Sequence, residues 1–167
     1  MSSHELAQLN IALMREPLES PMMADFVANL DRINALAEAS PGFIWRLQTE
    51  AGNATALRPM GENTLVNISV WKDVPSLQHY VYQSAHVEIM HRRSEWFERM
   101  SEVYTVLWWV REGYRPSVTE AAVKLALLRR SSLMYSRHGG SMLDSSKLGY
   151  AVALCWRLKR RQIRLAT

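Results

Sequence analysis

Cysteine is nearly absent from this 167-residue chain: Cys155 stands alone, so no intramolecular disulfide can form. No CxxC pair or Cys/His cluster has the spacing of a zinc site. A reducing compartment is the default, and a cytoplasmic protein is expected. Long hydrophobic runs are missing as well. Nothing approaches the ~20 apolar residues of a membrane span, and the start Met1-Ser2-Ser3-His4-Glu5 has neither the basic residues nor the apolar run of a signal peptide. No Ser/His/Asp motif, phosphate-cradling glycine loop, GxGxxG or paired-carboxylate signature occurs, which leaves hydrolase, kinase and dinucleotide chemistry without support. Acidic residues all but vanish from the end of the chain. Residues 124–167 hold 10 Lys and Arg against Asp144 alone, whereas residues 1–123 hold 10 against 15. The net charge of +4 and the pI near 9.5 therefore belong to the tail, and a nucleic-acid partner is disfavoured for the rest.

What is present is globular: 48% apolar and 22% charged residues, in a length that suits one domain with its own core. Leu9, Ile11 and Leu13 alternate with Gln8, Asn10 and Ala12, the period of a strand. Ser20-Pro21 reads as an N-cap with proline in the first helical position, followed by the stripe Phe26, Leu30, Ile33, Ala37 and the breaker Pro41-Gly42. Phe43–Thr49 predicts a second strand, with Phe43, Trp45 and Leu47 on one side and Ile44, Arg46 and Gln48 on the other. Residues 50–63 form a long connection with room for an extra strand. Thr64–Lys72 predicts a third strand, Val66, Ile68 and Val70 opposing Asn67, Ser69 and Trp71. From Val74 to about Arg99 there is no glycine and only Pro75, so a long helix is expected, with a possible break near Gln83-Ser84. Val103–Arg111 is β-branched and aromatic, a fourth strand. Ser117-Val-Thr-Glu120 has capping-box spacing before a short last helix, Ala121–Arg130.

The order β-α-β-β-α-β predicts an α+β, ferredoxin-like domain over residues 5–130, a four-stranded antiparallel sheet with both main helices on one face. The other face then needs a cover. Trp71 with Trp108 or Trp109 would make an apolar patch there, and pairing two such faces gives a barrel-like homodimer.

The stretches LAQLNIA (6–12), SPGFIWRLQTE (40–50), NISVW (67–71), SAHVEIMHRRSEWFERM (84–100) and LWWV (107–110) resemble the DUF3291 family, a domain of unknown function. The resemblance spans roughly residues 5–130 and implies the dimeric α/β-barrel superfamily, beside antibiotic-biosynthesis-monooxygenase-like proteins and haem-degrading monooxygenases. Fold does not fix function.

Residues 131–167 fall outside it. A frame-shifted or read-through end explains the change in composition and charge together; a basic arm around Arg157-Leu-Lys-Arg-Arg161 and a native extra helix are the alternatives.

In the expected dimer, the sheet face turned away from the helices lines the cavity. Alternation then selects Gln8 and Asn10 from the first strand, Arg46 and Gln48 from the second, and Asn67, Ser69 and Trp71 from the third. Polar groups clustered on a half-buried face need partners, which are one another, water or a ligand. An apolar wall with a few convergent polar groups suits a small organic molecule; the plainer account is cross-strand bonding that only holds a dimer together. His86 shares a helical face with Tyr82, Met90, Arg93 and Phe97, while His79 and His91 point elsewhere, so no metal pair forms. Arg92-Arg93 could hold a carboxylate, although helix arginines are usually solvated.

The haem-degrading branch of that superfamily uses an Asn on the first strand, a Trp near the end of the third and a His on the second helix, so the resemblance implies that Asn10, Trp71 and His86 carry the chemistry; strand alternation assigns Gln8, Arg46, Asn67 and Ser69 to binding substrate. The leading expectation is a cofactor-independent, monooxygenase-like homodimer. Haem with His86 as axial ligand, and a non-catalytic ligand-binding or structural dimer module, are the alternatives.

Overall fold

In the computed structural model, which describes residues 3–83 and 86–137, four strands form one antiparallel sheet in the order β2-β3-β1-β4. The strands are β1 (His4–Leu13), β2 (Phe43–Arg46), β3 (Thr64–Trp71) and β4 (Thr105–Arg111). The helices are α1 (Ala24–Glu38), α2 (Val74–Gln83), α3 (His86–His91), α4 (Arg93–Trp96) and α5 (Val118–Arg137). The ferredoxin-like order expected from alternation is the order found. No strand lies in the connection between β2 and β3.

Local chemistry accounts for the element boundaries. Ser20 accepts a hydrogen bond from the Met22 amide and opens a 3-10 turn, Pro21–Met23, that runs on into α1. Gly42 turns the chain out of α1 at φ +79, where a Cβ would sit 2.2 Å from Ser76 Oγ. Ser117 caps α5 through the Glu120 amide at 3.1 Å. The Glu120 carboxylate does not close the capping box; it accepts from Trp108 Nε1 at 3.0 Å and from the Tyr114 hydroxyl at 2.7 Å, tying α5 to the sheet.

The second face of the sheet is where expectation and structure part. Ala7, Leu9, Ile11, Val66, Ile68, Val70, Val106 and Val110 do not pack under α1 and α2. They form one core with Ala121, Leu125 and Leu128 of α5. The last helix is twenty residues long rather than ten and covers this face within the same chain. A bare sheet face therefore does not call for a second copy, and the tryptophans do not share one patch. Trp71 is buried on the α1/α2 face, Trp108 on the α5 face, and Trp109 is half exposed on edge strand β4. The expected division at residue 130 falls inside α5, and residues 138–167, with the basic run, lie outside the described residues.

Two further corrections are local. A bulge between Phe43 and Trp45 breaks the alternation of β2. Phe43 pairs with Trp71 and packs on the α1/α2 side, while Ile44, Trp45 and Leu47 pack toward the α5 side. The long helix expected over 74–99 is three short ones. A straight helix of that length would run ~39 Å, well past an eight-residue strand of roughly 27 Å; dividing it keeps its apolar side chains over the sheet. Leu77 and Tyr80 pack against Leu6, Trp71 and Leu107 at one end, and Ile89 and Trp96 against Met14, Met23 and Leu65 at the other. The expected break near Gln83-Ser84 adjoins residues 84 and 85, which lie outside the described residues.

Because α5 supplies the apolar cover, Leu125→Ala should destabilise the protein by about 2–5 kcal/mol, as for other buried leucines. Urea unfolding followed by tryptophan fluorescence measures it; a cost below about 0.5 kcal/mol would mean that α5 is not seated on the sheet.

Candidate functional site

The α1/α2 face of the sheet is apolar at both ends and polar in the middle. Between the two end clusters, β1 and β3 present Gln8 opposite Ser69 and Asn10 opposite Asn67. Leucines of a helix cannot pack flush on amides and hydroxyls without stranding them from water. The helices bridge the gap, and two adjoining lobes of about 170 and 180 Å³ open beneath them. The lobes share Asn10, Ile33, Arg46, Asn67, His86 and Arg93 along their boundary.

Five polar groups of the first lobe bond to each other. The Trp71 indole donates to Ser69 Oγ at 2.9 Å, and Ser69 Oγ donates to Gln8 Oε1 at 3.3 Å. Asn10 Nδ2 donates to Thr105 Oγ1 at 2.8 Å, across β1 and β4. Arg46 Nε donates to Glu38 Oε1 at 2.8 Å, with the guanidinium largely buried and the carboxylate half exposed. Asn67 differs from its neighbours. It sits in the central part of the sheet, is exposed, and its side-chain amide has no hydrogen-bond partner among the described residues.

The inner wall is aromatic. Trp71 is 1% exposed, stacks on Tyr80 with ring centroids 5.1 Å apart, and receives the edge of Phe43 at 5.4 Å. Trp71 therefore forms the floor of the lobe, and its indole N–H serves the Ser69–Gln8 chain. Tyr80 in turn meets the His86 ring at 4.7 Å. Burial lowers the His86 pKa to about 4, against a smaller opposing effect from a hydrogen bond to the Val81 backbone. The imidazole is thus neutral at pH 7. Burial also pushes the Tyr80 hydroxyl upward, with Arg46 opposing.

All the expected site residues, Gln8, Asn10, Arg46, Asn67, Ser69, Trp71 and His86, line the first lobe. The face that holds them is the opposite of the one expected: they lie under α1 and α2, and the cavity is formed within one chain. Gln48 lines neither lobe. The helical face read from His86 persists through the helix breaks, since Tyr82, Met90, Arg93 and Phe97 all line one lobe or the other. His79 and His91 line neither, and no cluster of three His, Cys, Asp or Glu exists among the described residues. The two adjacent arginines divide. Arg92 is turned outward to Asp25 and Glu95, whereas Arg93 is half buried with its guanidinium 4.7 Å from the Tyr104 ring centroid and 5.9 Å from that of Phe97. Thr105, Tyr80 and Ile33 are not among the site residues expected from the sequence, where they look like ordinary strand and helix residues.

Haem does not fit this arrangement. The His86 ring is packed on Tyr80 and bonded to the Val81 backbone, and each lobe has room for about one aromatic ring, since a cavity of roughly 150 Å³ takes up benzene.

The chain belongs to the DUF3291 family, a domain of unknown function, whose model matches residues 5–134. No curated protein matches it in sequence. Among solved structures it is similar to SnoaB, a cofactor-independent oxygenase from Streptomyces nogalater, at 16% identity and TM-score 0.45, over 71% of this chain and 100% of that one. A protein of unknown function from Nitrosomonas europaea shares 14% identity over 70% of this chain and 97% of its own, with a TM-score of 0.44. A Mycobacterium tuberculosis protein shares 14% over 68% and 99%, with a TM-score of 0.43. No residue role passes from them to this chain.

Burial of His86 sets a pH dependence. Its folded pKa lies below the unfolded value of 6.5, so the unfolded chain binds the extra proton between pH 6.5 and about 4. Stability should be unaffected by this group above pH 6.5 and fall by about 3 kcal/mol as the pH drops to 4. His86→Gln should remove that part of the acid loss, measured as the difference between urea midpoints at pH 7 and pH 4.5; an unchanged difference would show that the imidazole is not held neutral.

Proposed function

We propose that the chain is a small-molecule protein whose cavity takes up a flat, electron-rich organic compound, and that it works as a cofactor-independent, monooxygenase-like enzyme. The observation that carries the uptake is Asn67. Asn67 is an exposed amide in the central part of the sheet that lines both lobes and has no side-chain partner among the described residues, so its donor and acceptor face water or a ligand in the cavity. The Asn10–Thr105 and Ser69–Gln8 pairs hold the strands in register around it. His86, neutral and lining both lobes, is the group suited to accept a proton from a bound substrate. With a hydroxyarene, the phenolate so formed is the electron source for dioxygen: a C–O bond forms at a ring C–H, that hydrogen and the hydroxyl hydrogen leave with the second oxygen atom as water, and the product is a quinone, so the substrate is itself the reductant. The alternative, a binding module without turnover, shares the cavity and differs only in that step. A homodimer remains part of the proposal, with half-exposed Trp109 on edge strand β4 as the surface that would serve it.

Calorimetric titration with 2-naphthol tests uptake. Asn67→Ala should weaken it about three- to tenfold, the worth of one neutral hydrogen bond, with stability changed by less than about 0.5 kcal/mol. Asn10→Ala should instead cost about 1 kcal/mol of stability through the lost Thr105 bond. An oxygen electrode with 1,5-dihydroxynaphthalene separates the two readings. Protein-dependent oxygen uptake that His86→Ala abolishes supports the enzyme; binding without uptake leaves the module.

A further inference from the structure

We infer that the cavity selects an aromatic carboxylate, with Arg93 as the residue that receives its charge; this rests on the uptake reading above and names its ligand class. The charges around the two lobes are one-sided. Arg46, Arg93 and His86 line the boundary between them, and among the described residues no aspartate or glutamate lines either lobe. His86 is neutral at pH 7. Arg46 is already paired, with its Nε 2.8 Å from Glu38 Oε1. Arg93 has no such partner. Its guanidinium lies over the Tyr104 ring at 4.7 Å and near the Phe97 ring at 5.9 Å, and it makes no hydrogen bond or ion pair among the described residues.

A half-buried cation is costly to leave without a counter-charge, and aromatic faces offset only part of that cost. The adjacent Arg92 shows the ordinary solution on the same segment, pairing with both Asp25 and Glu95. Arg93 is instead turned inward, its planar fork held by two rings at the boundary of both lobes. That fork matches a carboxylate through two parallel N–H···O bonds. The lobes fix the remainder of the ligand. One side of the second lobe is walled by Phe26, Leu30, Ile33, Ile89 and Phe97, which suits hydrocarbon, while Asn29, Asn53 and Thr55 line it as well. Two joined lobes of about 170 and 180 Å³, each of a size for one ring, fit a two-ring aromatic body.

The test is calorimetric titration of the full chain with 2-naphthoate and with 2-naphthamide, equal in shape and different in charge. The wild-type protein should bind the acid about tenfold or more tightly than the amide. Arg93→Met should bring the two to within about twofold by weakening the acid alone, and Arg93→Lys should keep part of the preference because it keeps the charge without the fork. Thermal melting of each variant checks that it folds; the wild-type comparison and Arg93→Lys decide the matter should Arg93→Met fail to fold. Equal affinity for acid and amide in the wild type, or a preference that survives in Arg93→Met or is undiminished in Arg93→Lys, overturns the assignment and leaves the cavity reading intact. Uptake of neither compound overturns both.

Discussion

A short row of polar side chains in the middle of one sheet face governs this structure. Had Gln8, Asn10, Asn67 and Ser69 been aliphatic, as their neighbours on the opposite face are, α1 and the helices after β3 could have settled flush on the sheet. Amides and hydroxyls forbid that, because each needs a hydrogen-bond partner that a leucine cannot supply. The helices are anchored only at their ends, by the cluster around Trp71, Leu77 and Tyr80 and by that around Met23, Leu65 and Trp96. The stretch between is left spanning a hollow. The cavity is thus a packing consequence of four residues in two strands, and the division of the chain after Val74 into three short helices follows the same constraint.

The opposite face shows what the sheet does without that constraint. Its aliphatic rows meet Ala121, Leu125 and Leu128 in a continuous core. The two faces have separate tasks: the α5 side supplies the apolar burial that holds the sheet, and the α1/α2 side gives up some burial to keep a hollow open. Polar partners on the hollow side are mostly local, strand to neighbouring strand, so register and cavity shape are set by the same bonds.

Alternation made the strands, their order and the membership of each row legible in the sequence. It could not say which row met which helices, because that depends on the length of α5. The apolar residues Ala121, Leu125 and Leu128 recur at helical spacing, but the expected helix was cut at Arg130 and the face it covers was assigned to a second chain. The bulge at β2 was illegible for a different reason: Phe43, Ile44 and Trp45 are all apolar, and a one-residue insertion among apolar residues leaves the pattern unchanged. Among the site residues, His86 and its helical neighbours were visible from periodicity, since the lobes follow that face even across helix breaks. The contrast between Arg92 and Arg93 was not, because Asp25 is far away in sequence and Glu95 lies close to both arginines in a linear reading.

Electrostatics joins the two groups that matter most for chemistry. Burial keeps the His86 imidazole neutral but makes it a weak base in the empty cavity, with a pKa near 4. Arg93 borders the same space, and its guanidinium makes no ion pair among the described residues. On the reading proposed above, a carboxylate bound by Arg93 would offset that positive charge within the lobes. Such a ligand would ease the burial cost of a charged His86 and so raise the basicity of the group proposed to take a proton.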